Sequence, residues 1–258
     1  MRSEILKELS NIQNQYDIEV LYAIESGSRA WGFESQNSDY DVRYIYIHKP
    51  EWYLSIDDKK DSHETILPND IDLAGWELRK TLRLFRKSNP PLLEWLDSDI
   101  IYLDKFDFAN QLRKLANEYF NPKSCIYHYL HMAKGNYGEY LRKDKVKLKK
   151  YFYVLRPILA CDWISKNNAP APIKFQTLLD FQVEDKQIKI VVEDLLKQKK
   201  SSMEMDEGDR IPILNDFIQE KLDYYNKYVL GIDFSIKPNT LKLDNLFRKM
   251  YNTVFEAN

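Results

Sequence analysis

The stretch Ile24-Glu25-Ser26-Gly27-Ser28-Arg29-Ala30-Trp31-Gly32-Phe33-Glu34-Ser35-Gln36-Asn37-Ser38-Asp39-Tyr40-Asp41-Val42-Arg43 decides how this chain is read. It reads as strand, glycine turn, short helix, loop and strand. The apolar run Val20 to Ile24 ends at Gly27-Ser28, a pair able to bring backbone N–H groups and a hydroxyl close to a phosphate because glycine has no Cβ to block the approach. An anion belongs at the mouth of a helix that starts there. Asp39 and Asp41 follow across a polar loop, and around the strand Tyr40 to His48 positions i and i+2 share one face. Two carboxylates that close push one pKa up unless a cation sits between them. Mg²⁺ is the natural filler, because it takes oxygen ligands, keeps waters and is shared between one or two protein carboxylates and substrate phosphates.

Outward from this unit, apolar residues at Ile5, Leu6, Leu9 and Ile12 give Ser3 to Gln15 a helical period. Ile18 to Ile24 and Tyr40 to His48 read as strands, and Pro50 closes the second. Ser62 to Leu67 and Ile71 to Gly75 form another strand pair around Pro68-Asn69-Asp70. Trp76 to Lys87 is helical, Asn89-Pro90-Pro91 stops it, Leu92 to Leu96 is a short helix and Ile100 to Leu103 a last strand. Near Asp104 the strand periods end. Later segments read as helix: Phe106 to Phe120, Lys123 to Leu141, Val146 to Ser165, Phe175 to Phe181, Asp185 to Lys199 and Ile211 to Tyr228. This composition shift predicts an α+β protein, with a small mixed-sheet domain over 1–104 and an all-helical domain over 105–258. Ser201 to Arg210 is the best candidate for a mobile loop.

At 258 residues the chain can bury a substantial core without disulfides. Cys125 and Cys161 match no paired spacing, and no run approaches the ~18 apolar residues of a membrane span. The expectation is a cytoplasmic protein. The formal net charge of −2 does not by itself exclude nucleic acid, because a neutral chain can carry a basic groove.

On the helix expected from Val146, Lys149, Tyr153 and Arg156 fall at i, i+4 and i+7 beside an apolar stripe of Leu148, Phe152, Leu155 and Leu159. From spacing alone such a charged stripe is a solvated face. Cys125, His128 and His131 at i, i+3 and i+6 drift around a helix and lack a fourth ligand, so packing explains them better than zinc. Asp70 and Asp72 compete as a further carboxylate: Asp70 lies in turn chemistry, Asp72 on the following strand.

Gly27-Ser28-Arg29-Ala30-Trp31-Gly32 followed by Ser38-Asp39-Tyr40-Asp41-Val42-Arg43 resembles the signature of the DNA polymerase β superfamily of nucleotidyltransferases. More narrowly it resembles the branch of predicted nucleotidyltransferases described as RNA-ligase-associated. Asp72-Leu73-Ala74-Gly75-Trp76-Glu77-Leu78-Arg79-Lys80, Lys87-Ser88-Asn89-Pro90-Pro91-Leu92-Leu93-Glu94-Trp95-Leu96 and Lys149-Lys150-Tyr151-Phe152-Tyr153-Val154-Leu155-Arg156-Pro157 extend the likeness to about Pro172. The resemblance implies a polymerase β-like palm and transfer of an NMP from an NTP, ATP favoured, with loss of pyrophosphate. It implies Asp39, Asp41 and Asp72 as catalytic carboxylates holding two Mg²⁺ ions, with Mn²⁺ as the alternative. Gly27, Ser28, Arg29, Lys149, Lys150, Tyr153 and Arg156 become the nucleotide-binding set. An RNA end is the favoured acceptor; a protein hydroxyl and a non-catalytic nucleotide- or RNA-binding module stay open.

Overall fold

The structure, a computed structural model, describes residues 1–201, 207–232 and 238–255. Their contacts divide the chain into two compact units. The first takes Met1–Ala30, Asp39–Tyr119 and the C-terminal helix; the second takes Trp31–Ser38 and the chain from Phe120 onward to that helix.

The first unit opens with α1 (Arg2–Tyr16), β1 (Ile18–Glu25) and α2 (Gly27–Trp31), whose last residue belongs to the second unit. There follow β2 (Tyr40–His48), α3 (Pro50–Tyr53), β3 (Ser62–Ile66), β4 (Ile71–Glu77), α4 (Leu78–Arg86), α5 (Pro90–Asp97), β5 (Ile101–Asp104) and α6 (Phe108–Tyr119). The strands make a five-stranded sheet in the order β3-β4-β2-β1-β5. Neighbours are antiparallel except β2 and β4, which are parallel. The expected mixed sheet is therefore present.

Alternation of side chains along the strands sends apolar residues to both faces. On one face Ile5, Leu9 and Ile12 of α1 cover Val20, Val42, Tyr44, Tyr46, Ile71 and Leu73. On the other, Ile45 and Ile47 pack with Leu78, Leu82 and Phe85 of α4 and with Leu92 and Trp95 of α5. Local signals set the helix ends. Glu77 caps α4 by accepting from the Arg79 and Lys80 N–H groups, and Asn89 caps α5 ahead of its two prolines.

The core on this second face reaches past Asp104. Phe108, Ala109, Leu112 and Tyr119 of α6 are buried in it, and so are Leu243, Leu246 and Met250. Loss of strand periodicity marks where the sheet ends, but not where its core ends.

The second unit contains α7 (Pro122–Tyr140), β6 (Lys145–Lys147), α8 (Lys150–Asn167), α9 (Phe175–Gln182), α10 (Lys186–Lys200), β7 (Glu207–Asp209) and α11 (Pro212–Gly231). It departs from an all-helical reading, because β6 and β7 pair antiparallel. Val146 is therefore a strand residue, and the helix expected from it starts at Lys150. A Cβ on Gly208 would lie 2.8 Å from Leu148 Cδ1, so the glycine lets the ribbon close over that leucine. Of the proposed loop Ser201 to Arg210, residues 202–206 lie outside the described residues and Glu207–Asp209 are β7. Tyr151, buried at the start of α8, donates its hydroxyl hydrogen to Asn215 Oδ1 at 2.6 Å and accepts from the Ile211 N–H at 2.9 Å.

The last described element is α12 (Leu241–Phe255), absent from the sequence reading. Leu246→Ala should destabilise the α/β unit by about 2–4 kcal/mol, the scale of a leucine truncated in a packed core. Urea unfolding followed by Trp76 and Trp95 fluorescence measures it; an unchanged midpoint would detach α12 from this core.

Candidate active site

At the end of β1 the chain turns through Gly27, whose φ is +59°, directly into α2. The Ser26 N–H donates to the Asp41 carbonyl at 2.8 Å, tying the turn to β2. A Cβ on Gly27 would stand 1.9 Å from Asp41 Oδ2. No side chain fits between turn and carboxylate, and the left-handed backbone disfavours one independently. Ser28 occupies the next position of this first turn.

Beneath the turn lies Glu25, fully buried. Its Oε1 accepts the Asp41 N–H at 2.9 Å, its other oxygen accepts from the Tyr102 hydroxyl, and its backbone carbonyl accepts from Ser98 Oγ at 2.8 Å. Burial raises its pKa, against the pull of the Tyr102 and Asp41 hydrogen bonds. Glu25 positions the strand end that carries Asp41. The sequence signal was a carboxylate closing an otherwise apolar strand, which reads equally well as the strand leaving the core.

The parallel register sets Asp41 opposite Asp72. Arg43 reaches both: one guanidinium nitrogen lies 2.8 Å from Asp41 Oδ1 and 2.9 Å from Asp72 Oδ2, while the other donates to the Asp72 carbonyl at 3.1 Å. Burial pushes the Asp41 carboxyl pKa up; Arg43 opposes this, and Asp72 and Asp39 add to it. Asp70 sits in the turn with φ +60°, its carbonyl accepting the Tyr40 N–H at 2.8 Å. Asp39 precedes β2 and is exposed. Its carbonyl accepts from Arg29 Nε at 3.1 Å, and the Arg29 guanidinium stacks 3.7 Å from the Tyr40 ring.

Gly27, Asp41 and Asp72 are thus brought together, with Asp39 near enough to act on Asp41 electrostatically. Among the described residues no three His, Cys, Asp or Glu side chains form a closed metal cluster. Two facing carboxylates without a closed set of protein ligands fit the Mg²⁺ habit better than that of a metal held by protein alone.

Lys149, Lys150, Tyr153 and Arg156 all belong to the helical unit. Lys149 is exposed at the N-cap of α8. Lys150 lies 4.0 Å from the Tyr140 ring and 4.9 Å from that of Tyr153, which is exposed. Burial and the charge of Lys149 lower the Lys150 pKa, and the same two causes lower that of Lys199, a neighbour brought in by α10 that sequence spacing could not reveal. Arg156 is not on an open face. It is buried, its guanidinium 4.6 Å from the Trp31 ring and donating to the Ile173 carbonyl at 3.3 Å.

A mixed sheet with a glycine turn pressed against a carboxylate pair defines a nucleotidyltransferase-type site. The chain belongs to the RlaP family, described as the RNA repair pathway DNA polymerase beta family, whose model matches residues 1–249. It is 47% identical over 257 residues to the uncharacterized protein YcgL of Bacillus subtilis (strain 168), covering 100% of this chain and 98% of that one. A crystal structure of a nucleotidyltransferase-like protein from Exiguobacterium sibiricum 255-15 aligns over 96% of this chain and 89% of its own, at 11% identity and a TM-score of 0.33. No described helix is long and apolar enough to cross a membrane.

A raised folded pKa means that the folded protein holds the Asp41 proton more tightly than the unfolded chain does. Relative stability is then present at low pH and lost as pH rises through the folded pKa. In metal-free buffer, Asp41→Asn should melt above the wild type at pH 7 to 8, with the advantage shrinking toward the ordinary carboxylate value of 3.8. Thermal melts across that range check the sign, and an advantage that grows toward acid pH would contradict it.

Proposed function

We propose that this protein transfers a nucleoside monophosphate from an NTP, with ATP favoured, to the terminal hydroxyl of an RNA, releasing pyrophosphate. The observation that carries the reading is the opposition of Asp41 and Asp72 across β2 and β4, beside a turn that admits no side chain at Gly27. The RNA acceptor is supported by the family's description as part of an RNA repair pathway.

Asp39, Asp41 and Asp72 would hold Mg²⁺, or Mn²⁺, as a pair of ions. Such ions, when bound, lower the pKa of the attacking hydroxyl and neutralise charge on the triphosphate. The acceptor oxygen forms a bond to the α-phosphorus while the bond from that phosphorus to the bridging oxygen breaks, and the hydroxyl proton passes to Asp72. Asp72 suits this role because Arg43 fixes its carboxylate beside Asp41. The Gly27 and Ser28 backbone approaches the β- and γ-phosphates where no Cβ intervenes. Arg29 holds the start of β2 through the Asp39 carbonyl, and its charge favours the same phosphates. In the helical unit, Lys149 and Lys150 with Tyr153 offer a separate cationic face that we assign to phosphate. Arg156 acts at one remove, through the Trp31 ring that meets Tyr153 edge-on at 5.8 Å.

Incubation with each α-³²P NTP, Mg²⁺ and either total RNA or protein tests the acceptor. Label in RNA is expected. Label in protein alone would move the acceptor to a protein hydroxyl, and NTP-dependent thermal stabilisation without label would reduce the chain to a binding module.

The register yields a sharper test. Asp72 stands on β4 directly opposite Asp41, whereas Asp70 lies in the preceding turn with φ +60°. Asp72→Asn should lower single-turnover transfer by at least ~10²-fold, with NTP binding largely kept, whereas Asp70→Asn should cost less than ~10-fold. Reversed rates would refute the assignment of Asp72.

A further inference from the structure

Within the α/β unit, α4 and α12 enclose a groove of about 350 Å³. One wall carries Arg79, Arg83 and Arg86; Leu82, Leu243 and Phe247 line the apolar remainder. The three arginines fall at i, i+4 and i+7 of one helix face, with rises of about 6 and 4.5 Å between them. Arg79 and Arg83 are exposed and Arg86 half-buried. Salt bridges elsewhere occupy Lys80 and Lys242, with Asp61 and Glu118, but among the described residues none forms at Arg79, Arg83 or Arg86. Asp244 is the single carboxylate on the groove lining.

Helix electrostatics does not account for this stripe. Arg83 and Arg86 stand in the last turn of α4, where the dipole favours cations, but Arg79 stands in the first turn, where it disfavours them. Like charges at i, i+4 also destabilise a helix by about 0.2–0.5 kcal/mol per pair. Aromatic rings accompany the charge. The Arg79 guanidinium lies 5.6 Å from the Trp52 ring and 5.3 Å from that of Tyr53, which packs edge-on against Phe247 at 5.2 Å.

We propose that this groove binds the phosphodiester backbone of single-stranded RNA, away from the end that reacts. The inference deepens the RNA-acceptor reading and rests on it for the identity of the strand. Arginine forks match phosphate oxygens bidentately, and a cationic groove edged by rings is how proteins hold single strands irrespective of sequence.

The test uses the full-length protein in EDTA without NTP, with fluorescence anisotropy of a labelled oligouridylate read across a salt series. Arg83→Gln/Arg86→Gln should weaken binding about tenfold or more at low salt. It should also flatten the slope of log K against log salt by about 1.4, two contacts at ~0.7 each on a single strand. Arg83→Lys/Arg86→Lys should keep the slope. Unchanged affinity and slope in the glutamine variant would overturn the proposal, as would displacement of the RNA by polyglutamate at equal charge concentration. Because binding is read without nucleotide or metal, the outcomes separate: arginine-dependent RNA binding with no label transferred to RNA leaves the groove and removes the acceptor reading. Transfer to RNA with arginine-independent binding removes the groove alone.

Discussion

The parallel pairing of β2 with β4, running from Tyr40 opposite Ile71 to Tyr46 opposite Glu77, is the constraint on which the rest of the site depends. It is the one parallel pairing in a sheet that is otherwise antiparallel, and it places Asp41 against Asp72. A slip of one residue would send Asp72 to the α1 face, among Val42, Tyr44 and Leu73, where a carboxylate would be buried without a partner. Gly75 helps to pin the register, since a Cβ there would stand 2.2 Å from the ring of Tyr44, its cross-strand partner. The same backbone pairing that seats Tyr44 over Gly75 therefore orders the two acids.

Two carboxylates held in register repel, and the chain meets that cost with Arg43, two positions beyond Asp41 on the same strand. The compensation is incomplete. Asp41 remains harder to ionise than an ordinary aspartate because burial outweighs the arginine, and Asp39 adds a further negative charge at its side. The guanidinium meets one oxygen of each carboxylate, Asp41 Oδ1 and Asp72 Oδ2. Glu25 completes the frame from below: its carboxylate is occupied by the Asp41 N–H and the Tyr102 hydroxyl, so it supports the strand end.

Strands β1 and β2 and the turn between them were readable because apolar runs, a glycine and a polar loop follow one another in a short span. That Asp72 lies on a strand was readable from its place ahead of Gly75-Trp76, and that Asp70 lies in a turn from the residues around it. Other features needed tertiary contacts. Glu25 acquires its role from Tyr102 and Ser98, which arrive from other parts of the chain. The ribbon of β6 and β7 is three residues long on each side, too short to show a period of two, so Val146 read as the start of a helix. α12 was missed although Leu243, Leu246 and Met250 lie on one helical face, because nothing in its local sequence says which core that face joins. Arg156 read as part of a charged stripe, yet a stripe drawn on a helical wheel cannot show that Trp31 and Ile173 close over it.

The chain between the glycine turn and the carboxylates acquires a meaning from these contacts. Trp31-Gly32-Phe33 could be read as a spacer of suitable length, but Phe33 is a buried residue of the helical unit and Trp31 packs half-buried beside it. Phe33 is buried, stacked on Phe152 at 5.0 Å and edge-on to Phe175 at 5.6 Å, and Trp31 lies beneath the Arg156 guanidinium. The two ends of the excursion are tied by Arg29, which reaches across from α2 to the Asp39 carbonyl. A segment anchored by aromatic burial in its middle and by a guanidinium at its base has little freedom to vary in length or composition. That explains in packing terms why a tryptophan and a phenylalanine flank a glycine with φ of +84° so close to the Gly27 turn: Gly32 supplies the backbone reversal that lets Phe33 be buried while Trp31 lies beside it at 5.6 Å.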